Sequence, residues 1–463
     1  MAASPGLPPG AAHELELLFG PERCHTDPDT LAIYATDDTP RSVPPAGVVF
    51  PATTEEVAAV VRTAHRHGVP VVARGAGSGN VGGALPVPGA LVVSFECMDA
   101  ILEVDPANRL LRAQPGVTNQ QVQEAAAAHG LFWPPDPGSS PYCQVGGNIA
   151  MNSAGPGAVK RGVTRDWVLG LEAVTGTGEV LRAGARTTKG VVGYDLTRLL
   201  IGSEGTLGLV TEATLRLWPR PTTKRTARAA FASVADAGEA VQRIMAGGAV
   251  PSALEFMDSL AIDALRRGGF GADLPDGTGA VLMVEADGPE AAVAEDFADL
   301  TGRLEGPGLL EVRTGASAEE IKELWKARKS LSRAVKRLAP LKINEDVVVP
   351  VTALAAFIGR LEGLASEFGL PIVNFGHAGN GNIHVNLMVH PDDPDERARA
   401  RACLSRVFDT VLELGGTLSG EHGVGSEKAP FVARELDATS RALHNQIKAA
   451  FDPKGILNPG KAF

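Results

Sequence analysis

Glycine is the residue that most restricts how this chain can fold, because its 54 glycines are clustered rather than spread along the sequence. Glycine makes up about 12% of the 463 residues, whereas about 7% is usual for a globular protein. The glycines have no regular period, which excludes a collagen-like or low-complexity chain. They concentrate at residues 75–89, 138–162, 176–208, 376–381 and 415–425. Such clusters are typical of tight turns at which a ligand approaches the backbone closely.

The length and composition are those of a globular protein with more than one domain. A chain of 463 residues can form two or three packed domains, and its 44% hydrophobic and 21% charged residues are ordinary values. The formal net charge of −11 argues against nucleic-acid binding. The four cysteines are widely separated and include no Cys-x-x-Cys pair, so neither a disulfide framework nor an iron–sulfur cluster is indicated.

The sequence also lacks the usual signals for export or membrane insertion. The first residues do not combine a basic start with an apolar stretch, as a secretory signal would. No stretch approaches the roughly 18 uninterrupted apolar residues that predict a membrane helix. We therefore expect a cytoplasmic location, with peripheral attachment to a membrane through a partner protein left open.

Local patterns predict a mixed α and β fold in two parts. In the first part, residues 55–68 have helical apolar spacing that ends at Gly68, and 170–184 read as a β-hairpin. Proline and basic residues at 219–229 interrupt the pattern, which predicts a domain boundary near residue 220. Beyond it the alternation predicts an α+β domain. Its predicted helices are 234–247, 258–267, 289–304, 317–337, 352–368 and 395–414, and its predicted strands are 280–286, 309–314 and 344–349.

Three glycine-rich blocks stand out in the first part, at residues 73–84, 133–157 and 189–217. The first follows a predicted strand, and its successive backbone N–H groups can form a nest for a phosphate. On this block alone, a surface turn remains an equally good interpretation. No Lys–Ser/Thr pair ends it, and it leads into another strand rather than a helix, so it is neither a Walker loop nor a Rossmann fingerprint.

In this order and spacing, the three blocks resemble those of the vanillyl-alcohol-oxidase (VAO)-type FAD flavoproteins. The chain is most similar to their D-2-hydroxyacid dehydrogenase branch, which includes the D-subunit of glycolate oxidase, D-lactate dehydrogenase and D-2-hydroxyglutarate dehydrogenase. The resemblance implies an α+β fold with a VAO/PCMH-type FAD-binding domain of two α/β subdomains at residues 1–220. It further implies an α+β cap domain for the substrate, with an antiparallel sheet, at 221–415. A C-terminal segment, 416–463, would return to the FAD-binding domain and complete the flavin site.

The resemblance also implies which residues bind the cofactor. In that family the first loop holds the FAD pyrophosphate, and the other blocks line the isoalloxazine and adenosine parts. The residues assigned in this way are Arg74, Gly75, Ala76, Gly77, Ser78, Gly79, Pro137, Gly138, Ser139, Gly146, Gly147, Asn148, Asn152, Ser153, Glu204, Gly205, Val210 and Asn458. Some relatives attach the flavin covalently through a histidine in the first loop. Because no histidine lies between Arg74 and Gly83, we expect noncovalent FAD.

Two histidines in residues 374–389 (NFGHAGNGNIHVNLMV) indicate a second site. Read as a strand, this stretch places His384 and Asn386 on one face, and the glycines at 376–381 permit a bend that brings His377 to the same place. Glu421 lies in another glycine loop, GEHG. Two imidazoles and a carboxylate would leave open positions on a divalent metal, which is typical of a catalytic site. On spacing alone, two hydrogen-bonded loop histidines without a metal remain an alternative.

The resemblance favours the metal, since relatives with these motifs bind zinc or manganese there. It assigns His377, His384 and Glu421 as ligands. Asn380 stands where the family commonly has aspartate, which leaves the ligands in place but makes the identity of the metal less certain.

A substrate carboxylate requires a cation, and the predicted helix 317–337 supplies several. Arg328, whose guanidinium can bind a carboxylate with two parallel hydrogen bonds, fits the family's substrate helix together with Trp325. Ser332 lies four residues later on the same helical face. Lys342 and Asn386 complete the predicted substrate set. The alternative is a solvated basic face, which we assign to Lys326, Lys329, Arg333 and Lys336.

These residues predict FAD-dependent oxidation of a D-2-hydroxy acid, of glycolate or D-lactate type, to the 2-oxo acid. His422 is the expected base, because imidazole titrates near neutral pH, and Arg328 the expected carboxylate anchor. The electron acceptor is left open among an iron–sulfur subunit, a quinone and an electron-transferring flavoprotein, and a homodimer is compatible. One alternative is a related flavoenzyme that acts on another alcohol or a sugar nucleotide without metal. Another is a non-catalytic flavin subunit that only transfers electrons.

Overall fold

The computed structural model describes residues 5–271 and 273–463, which form two compact units. The first unit contains the chain up to Gly155, Gly162–Arg220 and Glu421–Phe463. The second contains Pro156–Arg161 and Pro221–Gly420, so it is inserted in the sequence of the first. The chain returns to the first unit after Gly420, whereas the sequence analysis places the corresponding boundary between residues 415 and 416.

Helices and strands are numbered along the described chain. The helices are α1 (Pro9–Arg23), α2 (Pro28–Ile33), α3 (Thr54–His67), α4 (Asn119–Ala127), α5 (Val145–Met151), α6 (Ala158–Arg161), α7 (Leu196–Leu200), α8 (Val234–Met245), α9 (Ser259–Arg267), α10 (Glu290–Gly302), α11 (Ala318–Ala334), α12 (Leu354–Phe368), α13 (Pro394–Glu413), α14 (Val432–Glu435) and α15 (Ala438–Phe451). The strands are β1 (Cys24–His25), β2 (Gly47–Val49), β3 (Val71–Arg74), β4 (Leu91–Ser94), β5 (Ile101–Asp105), β6 (Leu110–Ala113), β7 (Leu131–Phe132), β8 (Val168–Val174), β9 (Val180–Gly184), β10 (Leu209–Arg216), β11 (Trp218–Pro219), β12 (Thr223–Phe231), β13 (Ala253–Asp258), β14 (Ala280–Gly288), β15 (Leu309–Gly315), β16 (Leu341–Val348), β17 (Ile372–His377) and β18 (Asn382–Val389).

The first unit is built on two main sheets. One has the order β1-β2-β4-β3, with β4 parallel to both β2 and β3, and the other has the antiparallel order β5-β6-β10-β8-β9. Helix α3 packs its apolar side against the first sheet. The Thr53 hydroxyl accepts the Glu56 N–H at its start, and Gly68 adopts φ 66° at its end. These two residues fix the ends of this helix.

The second unit is built on one antiparallel sheet of seven strands, in the order β15-β12-β14-β13-β17-β18-β16. Helices α9 and α11 pack on the face that carries Met257, Met283 and Phe375. Helices α10, α12 and α13 contact strands β14, β17 and β18. The predicted α+β class and the antiparallel sheet are both present. No helix among the described residues is long and apolar enough to span a bilayer.

The chain just after residue 220 differs from the sequence analysis. Residues 219–229 show no periodicity in the sequence, and no strand is predicted there, but β12 begins at Thr223 and pairs with both β14 and β15. Its basic residues interrupt the apolar alternation by which a strand is recognised. They are tolerated in the strand because acidic residues elsewhere in the chain neutralise their charge. Lys224 Nζ lies 2.9 Å from Glu285 Oε1, and Arg228 Nη1 lies 2.9 Å from Asp273 Oδ2.

Candidate functional site

The three glycine-rich blocks meet around one cavity in the first unit. Strand β3 ends in the first block, helix α5 lies in the second, and the turn before β10 belongs to the third. The cavity is lined by Ala73, Arg74, Gly75, Phe95, Pro115, Gly146, Gly147, Ala150, Leu200, Ser203, Gly205, Gly208, Leu209 and Val210. A more open cavity of about 250 Å³ adjoins the first loop and is lined by Thr36, Asp37, Asp38, Arg74, Ala76, Gly77, Ser78 and Tyr142.

The glycines in these blocks have three different roles. A Cβ on Gly146 would lie 2.6 Å from Pro115 Cβ, so this glycine allows two backbone segments to touch. A Cβ on Gly138 or Gly147 would meet no heavy atom within 4 Å, which leaves open space directly against the backbone. Gly77 adopts φ 67°, a conformation that favours glycine. Gly147, which lines the first cavity, therefore leaves room for a ligand directly against its backbone.

Several polar residues assigned to the cofactor by resemblance are held by other protein groups. Asn148 contacts Asn119, and Asn152 Oδ1 accepts the Arg165 N–H. Arg74 Nη1 donates to the Thr36 carbonyl at 2.5 Å. Burial lowers the pKa of Arg74. These side chains shape the turns that line the cavities.

The turn at 137–143 and Ser153, the second residue after α5, also form backbone hydrogen bonds. The Pro137 carbonyl accepts the Ser140 N–H, and the Ser139 carbonyl accepts the N–H groups of Tyr142 and Cys143. The Ser153 carbonyl accepts the Thr164 N–H. Rigid turns of this kind keep the backbone beside Gly138 in place.

The C-terminal segment is bonded to the third block within the same unit. Glu204 is only 5% exposed, and its carboxylate accepts the N–H groups of Val424 at 2.6 Å and Gly425 at 2.7 Å. Burial raises the pKa of Glu204, although these two donors oppose the effect. Asn458 Nδ2 donates to the carbonyls of Gly83 and Glu204, at 3.0 and 2.6 Å.

Gln144 is a residue beside Gly75 that the sequence analysis does not single out. Its Oε1 is buried and has no hydrogen-bond partner in the described chain. A Cβ on Gly75, which lines the first cavity, would lie 3.1 Å from this oxygen. The only sequence signal is its position two residues before the adjacent glycines Gly146 and Gly147.

In the second unit, His377 and His384 come together as the sequence analysis expects. His377 ends β17, a short turn at Ala378–Asn380 follows, and β18 carries His384. The register pairs Phe375 with His384 and His377 with Asn382, which places both imidazoles on one face of the sheet. The two rings pack edge to face with centroids 5.3 Å apart, and a ligand nitrogen of each lies within 4.8 Å of the other.

A buried acid, Glu255 on β13, joins the histidine pair to the predicted substrate arginine. Its Oε1 lies 2.5 Å from His377 Nδ1, and its Oε2 lies 2.6 Å from Arg328 Nη2. Burial raises the pKa of the Glu255 carboxyl, but His377 and Arg328 outweigh this effect and hold that pKa below its usual value. The sequence analysis misses Glu255, because one acid in an apolar strand carries no local signal.

A second acid missed by the sequence analysis, Asp346 on β16, lies beside His384. The two residues are cross-strand partners, with His384 Nδ1 3.9 Å from Asp346 Oδ1. Asp346 also accepts the Asn382 side-chain N–H at 2.5 Å and the Gly420 N–H at 2.9 Å. Gly420 is thereby fixed close to the imidazole pair.

The predicted ligand Glu421 and the predicted base His422 are the next two residues along the chain. They belong to the first unit, in which His422 Nε2 lies 3.7 Å from Glu421 Oε1. In sequence they stand between Gly420, which donates to Asp346, and Val424, which donates to Glu204. The short segment that carries them is thus hydrogen-bonded on both sides.

The predicted substrate residues lie on α11, β16 and β18 of the second unit. Arg328 stacks over the Phe375 ring, 5.1 Å from its centroid, and Lys342 Nζ lies 3.3 Å from Ser332 Oγ. Trp325 donates its indole N–H to Glu285 at 3.1 Å. Asn386 is fully buried, and its Nδ2 donates to the carbonyls of Val373 and His384. These two bonds fix the orientation of its amide.

Comparison with known proteins identifies the family of this chain. Residues 220–462 match the family described as FAD linked oxidases, C-terminal domain, and residues 45–184 match the FAD binding domain. The glycolate oxidase subunit GlcD of Bacillus subtilis is 40% identical over 455 residues, which cover 97% of this chain and 96% of that protein. The D-2-hydroxyglutarate dehydrogenase of Stutzerimonas stutzeri is 36% identical, covering 98% of this chain and 99% of that protein.

Solved structures identify the fold. A p-cresol methylhydroxylase with substrate bound superimposes with a TM-score of 0.76 at 19% identity, covering 99% of this chain and 98% of that one. The fold is therefore the predicted VAO type, with an FAD-binding domain and a cap domain. The chain belongs to the FAD-linked oxidases, the family of flavoenzymes that includes GlcD and D-2-hydroxyglutarate dehydrogenase.

Proposed function

We propose that this flavoenzyme oxidises a small D-2-hydroxy acid, of glycolate or D-lactate type, to the 2-oxo acid. The observation that carries the proposal is the direct connection, through Glu255, between a partly buried arginine and a pair of adjacent histidines. FAD, held noncovalently in the first unit, would accept the hydride from the substrate α-carbon. The glycine-lined cavity and the open space beside Gly147 fit such a flat cofactor.

Arg328 would bind the substrate carboxylate. Its side chain is 13% exposed, its Nη2 is held by Glu255, and its Nε is buried without a partner in the described chain. A buried donor of this kind gains stability when a ligand supplies an acceptor. The charge and planar shape of the guanidinium match a carboxylate. Ser332, Lys342 and Asn386 would contribute the remaining polar contacts to the substrate.

His377, His384 and Glu421 would hold a divalent metal, zinc or manganese. Neutral imidazoles and a carboxylate are the donors that these ions accept, and the two imidazole donors lie within 4.8 Å of each other. When bound, such an ion lowers the pKa of a coordinated hydroxyl and orients it. Glu421 follows Gly420, whose N–H bonds to Asp346, and this bond would keep the ligand loop near His384.

His422 would remove the hydroxyl proton as hydride leaves the α-carbon. Its imidazole stands next to Glu421 in the chain, so the base would be positioned by the same loop that carries a metal ligand. The electrons would pass from the flavin to an acceptor on another protein or to a quinone. An iron–sulfur subunit and an electron-transferring flavoprotein are the protein acceptors to test.

Anaerobic titration of the FAD-loaded protein with D- and L-2-hydroxy acids, with and without EDTA, tests the proposal. We expect D-lactate or glycolate to bleach the flavin absorbance, and EDTA to slow the bleaching without releasing FAD. His422→Ala should slow flavin reduction by about 100-fold or more at unchanged FAD content. The matched control is His390→Ala, which removes a histidine that is 61% exposed. Equal rates in His422→Ala and the parent would rule out the base, and bleaching by none of the acids would rule out the function.

A further inference from the structure

Glu255 lies at the point where the two halves of the proposed substrate site meet. It is completely buried on β13, directly opposite His377 in the register of the sheet. Each of its carboxylate oxygens faces one partner: Oε1 lies 2.5 Å from His377 Nδ1, and Oε2 lies 2.6 Å from Arg328 Nη2. A single side chain therefore contacts a proposed metal ligand and the proposed substrate anchor.

We propose that Glu255 is a positioning residue that couples metal binding by His377 to substrate binding by Arg328. The proposal rests on the proposed function, since it assigns roles to the same two residues. Glu255 itself touches neither the substrate nor the metal in this scheme. It acts by fixing the tautomer of the His377 imidazole and the plane of the Arg328 guanidinium.

The tautomer follows from the short contact with Oε1. A carboxylate only accepts hydrogen bonds, so the nitrogen that faces it at 2.5 Å carries the proton. Nδ1 of His377 is therefore protonated, and the lone pair of the neutral ring is on Nε2. A histidine that donates from one nitrogen to a carboxylate is a more basic and better oriented metal ligand through the other.

The plane of Arg328 is fixed by two contacts. Its Nη2 is held by Glu255, and its guanidinium lies over the Phe375 ring, 5.1 Å from the ring centroid. Phe375 in turn packs against His384, with ring centroids 5.6 Å apart, and His384 packs against His377. The chain of contacts from Glu255 thus returns to the histidine pair, and displacement of one member disturbs the others.

Replacement of Glu255 by glutamine removes the coupling without changing the size of the side chain. An amide presents one acceptor and one donor, so it can accept from His377 or from Arg328, but it turns its N–H₂ group toward the other. Either His377 loses its fixed tautomer or Arg328 loses its fixed plane. Glu285 offers a matched control: it is 5% exposed and lies on the same face, but its partners include Thr226 and Trp325 rather than His377 or Arg328.

The first measurement is Mn²⁺ binding to the FAD-loaded, metal-free protein by isothermal titration calorimetry. We expect Glu255→Gln to raise the dissociation constant by about 10- to 100-fold. Glu285→Gln should leave it within about twofold of the parent. Pyruvate binding to the metal-free protein, followed by the flavin difference spectrum, should weaken in Glu255→Gln but not in Glu285→Gln. Parent-like Mn²⁺ and pyruvate affinities in Glu255→Gln would overturn the inference.

The second measurement needs no variant at Glu255 and holds even if that variant fails to fold. In protein labelled with ¹⁵N-histidine, two-bond correlation spectra at pH 8 report the tautomer of His377, whose signals are assigned by their loss in His377→Gln. We expect protonated Nδ1. A proton on Nε2, or on both nitrogens, would contradict the inference. If the parent reduces its flavin with D-lactate while Glu255→Gln binds Mn²⁺ and pyruvate normally, only this inference fails. If the tautomer is as expected but no 2-hydroxy acid reduces the flavin, only the proposed function fails.

Discussion

Two adjacent glycines at the start of α5, Gly146 and Gly147, should respond in opposite ways to the same added methyl group. In Gly146→Ala the new Cβ would lie 2.6 Å from Pro115 Cβ and 3.2 Å from the Pro115 carbonyl oxygen. The Gly146 N–H donates to that carbonyl at 2.8 Å, so the two segments cannot separate without losing the bond. Overpacking of this kind costs about 1–3 kcal/mol.

The helix propensity of alanine offsets part of that cost in Gly146→Ala. Alanine stabilises a helix interior by about 1 kcal/mol relative to glycine, and by less in the first turn. We therefore expect the free energy of unfolding to fall by about 1–2 kcal/mol. In Gly147→Ala the added Cβ meets nothing within 4 Å, so the same propensity should raise the free energy of unfolding by about 0.5–1 kcal/mol.

The affinity for FAD should also change in Gly147→Ala. Gly147 lines the glycine-rich cavity, and its added methyl would occupy space that we assign to the flavin. A steric cost of about 1–3 kcal/mol corresponds to a dissociation constant about 5- to 150-fold higher. The assays are urea unfolding of the FAD-free protein by circular dichroism, and FAD affinity by quenching of flavin fluorescence. Parent-like FAD affinity in Gly147→Ala would refute the assignment of the cavity, and parent-like stability in Gly146→Ala would refute the packing argument.

Two further predictions concern the second unit. Burial, with a contribution from Glu362, raises the pKa of Asp258 to about 7 from an ordinary value of 3.8. The folded state therefore binds this proton more tightly than the unfolded state does. As a result, the free energy of unfolding should fall by a few kcal/mol as the pH rises from about 4 to 7. This part of the fall should be absent in Asp258→Asn. Asp287→Ala removes the carboxylate that Lys160 and Arg161 share at 3.1 and 2.5 Å, and urea unfolding should show a loss of about 2 kcal/mol. The control Glu413→Ala, which breaks an exposed pair with Arg360, should lose less than about 1 kcal/mol; equal losses would contradict the argument from burial.

The sequence predicts those elements whose signals are local. Helix α3 has a capping threonine at one end and a left-handed glycine at the other, and the structure places it within a residue of the prediction. The hairpin of β8 and β9 is set by the short turn between them. His384 and Asn386 share a face because alternation along a strand follows from backbone geometry alone. In each case residues close in sequence determine the structure.

The elements that the sequence analysis misses depend on distant partners. Strand β12 has no strand pattern in the sequence, and its Lys224 and Arg228 pair with Glu285 and Asp273, which are distant in sequence. Helix α5 contains two glycines and is helical because Val145 and Ile149 pack into the core of the first unit. In the site, nothing in the local sequence marks Glu255 on β13 or Asp346 on β16, and only the pairing of these strands with β17 and β18 places them beside the histidines.

The return of the chain to the first unit has a consequence for its synthesis on the ribosome. Leu457 pairs with Val71 along the outer edge of β3, the Val71 N–H donates to the Ile456 carbonyl, and both C-terminal residues are buried. These residues are translated only after all of Pro221–Gly420, which takes roughly 10–40 s at about 5–20 residues per second. During that interval the outer edge of the nascent β3 is unpaired, and an unpaired strand edge is a site at which polypeptides aggregate. The yield of correctly folded protein should therefore depend on how quickly Ile456 and Leu457 reach β3 after they are synthesised.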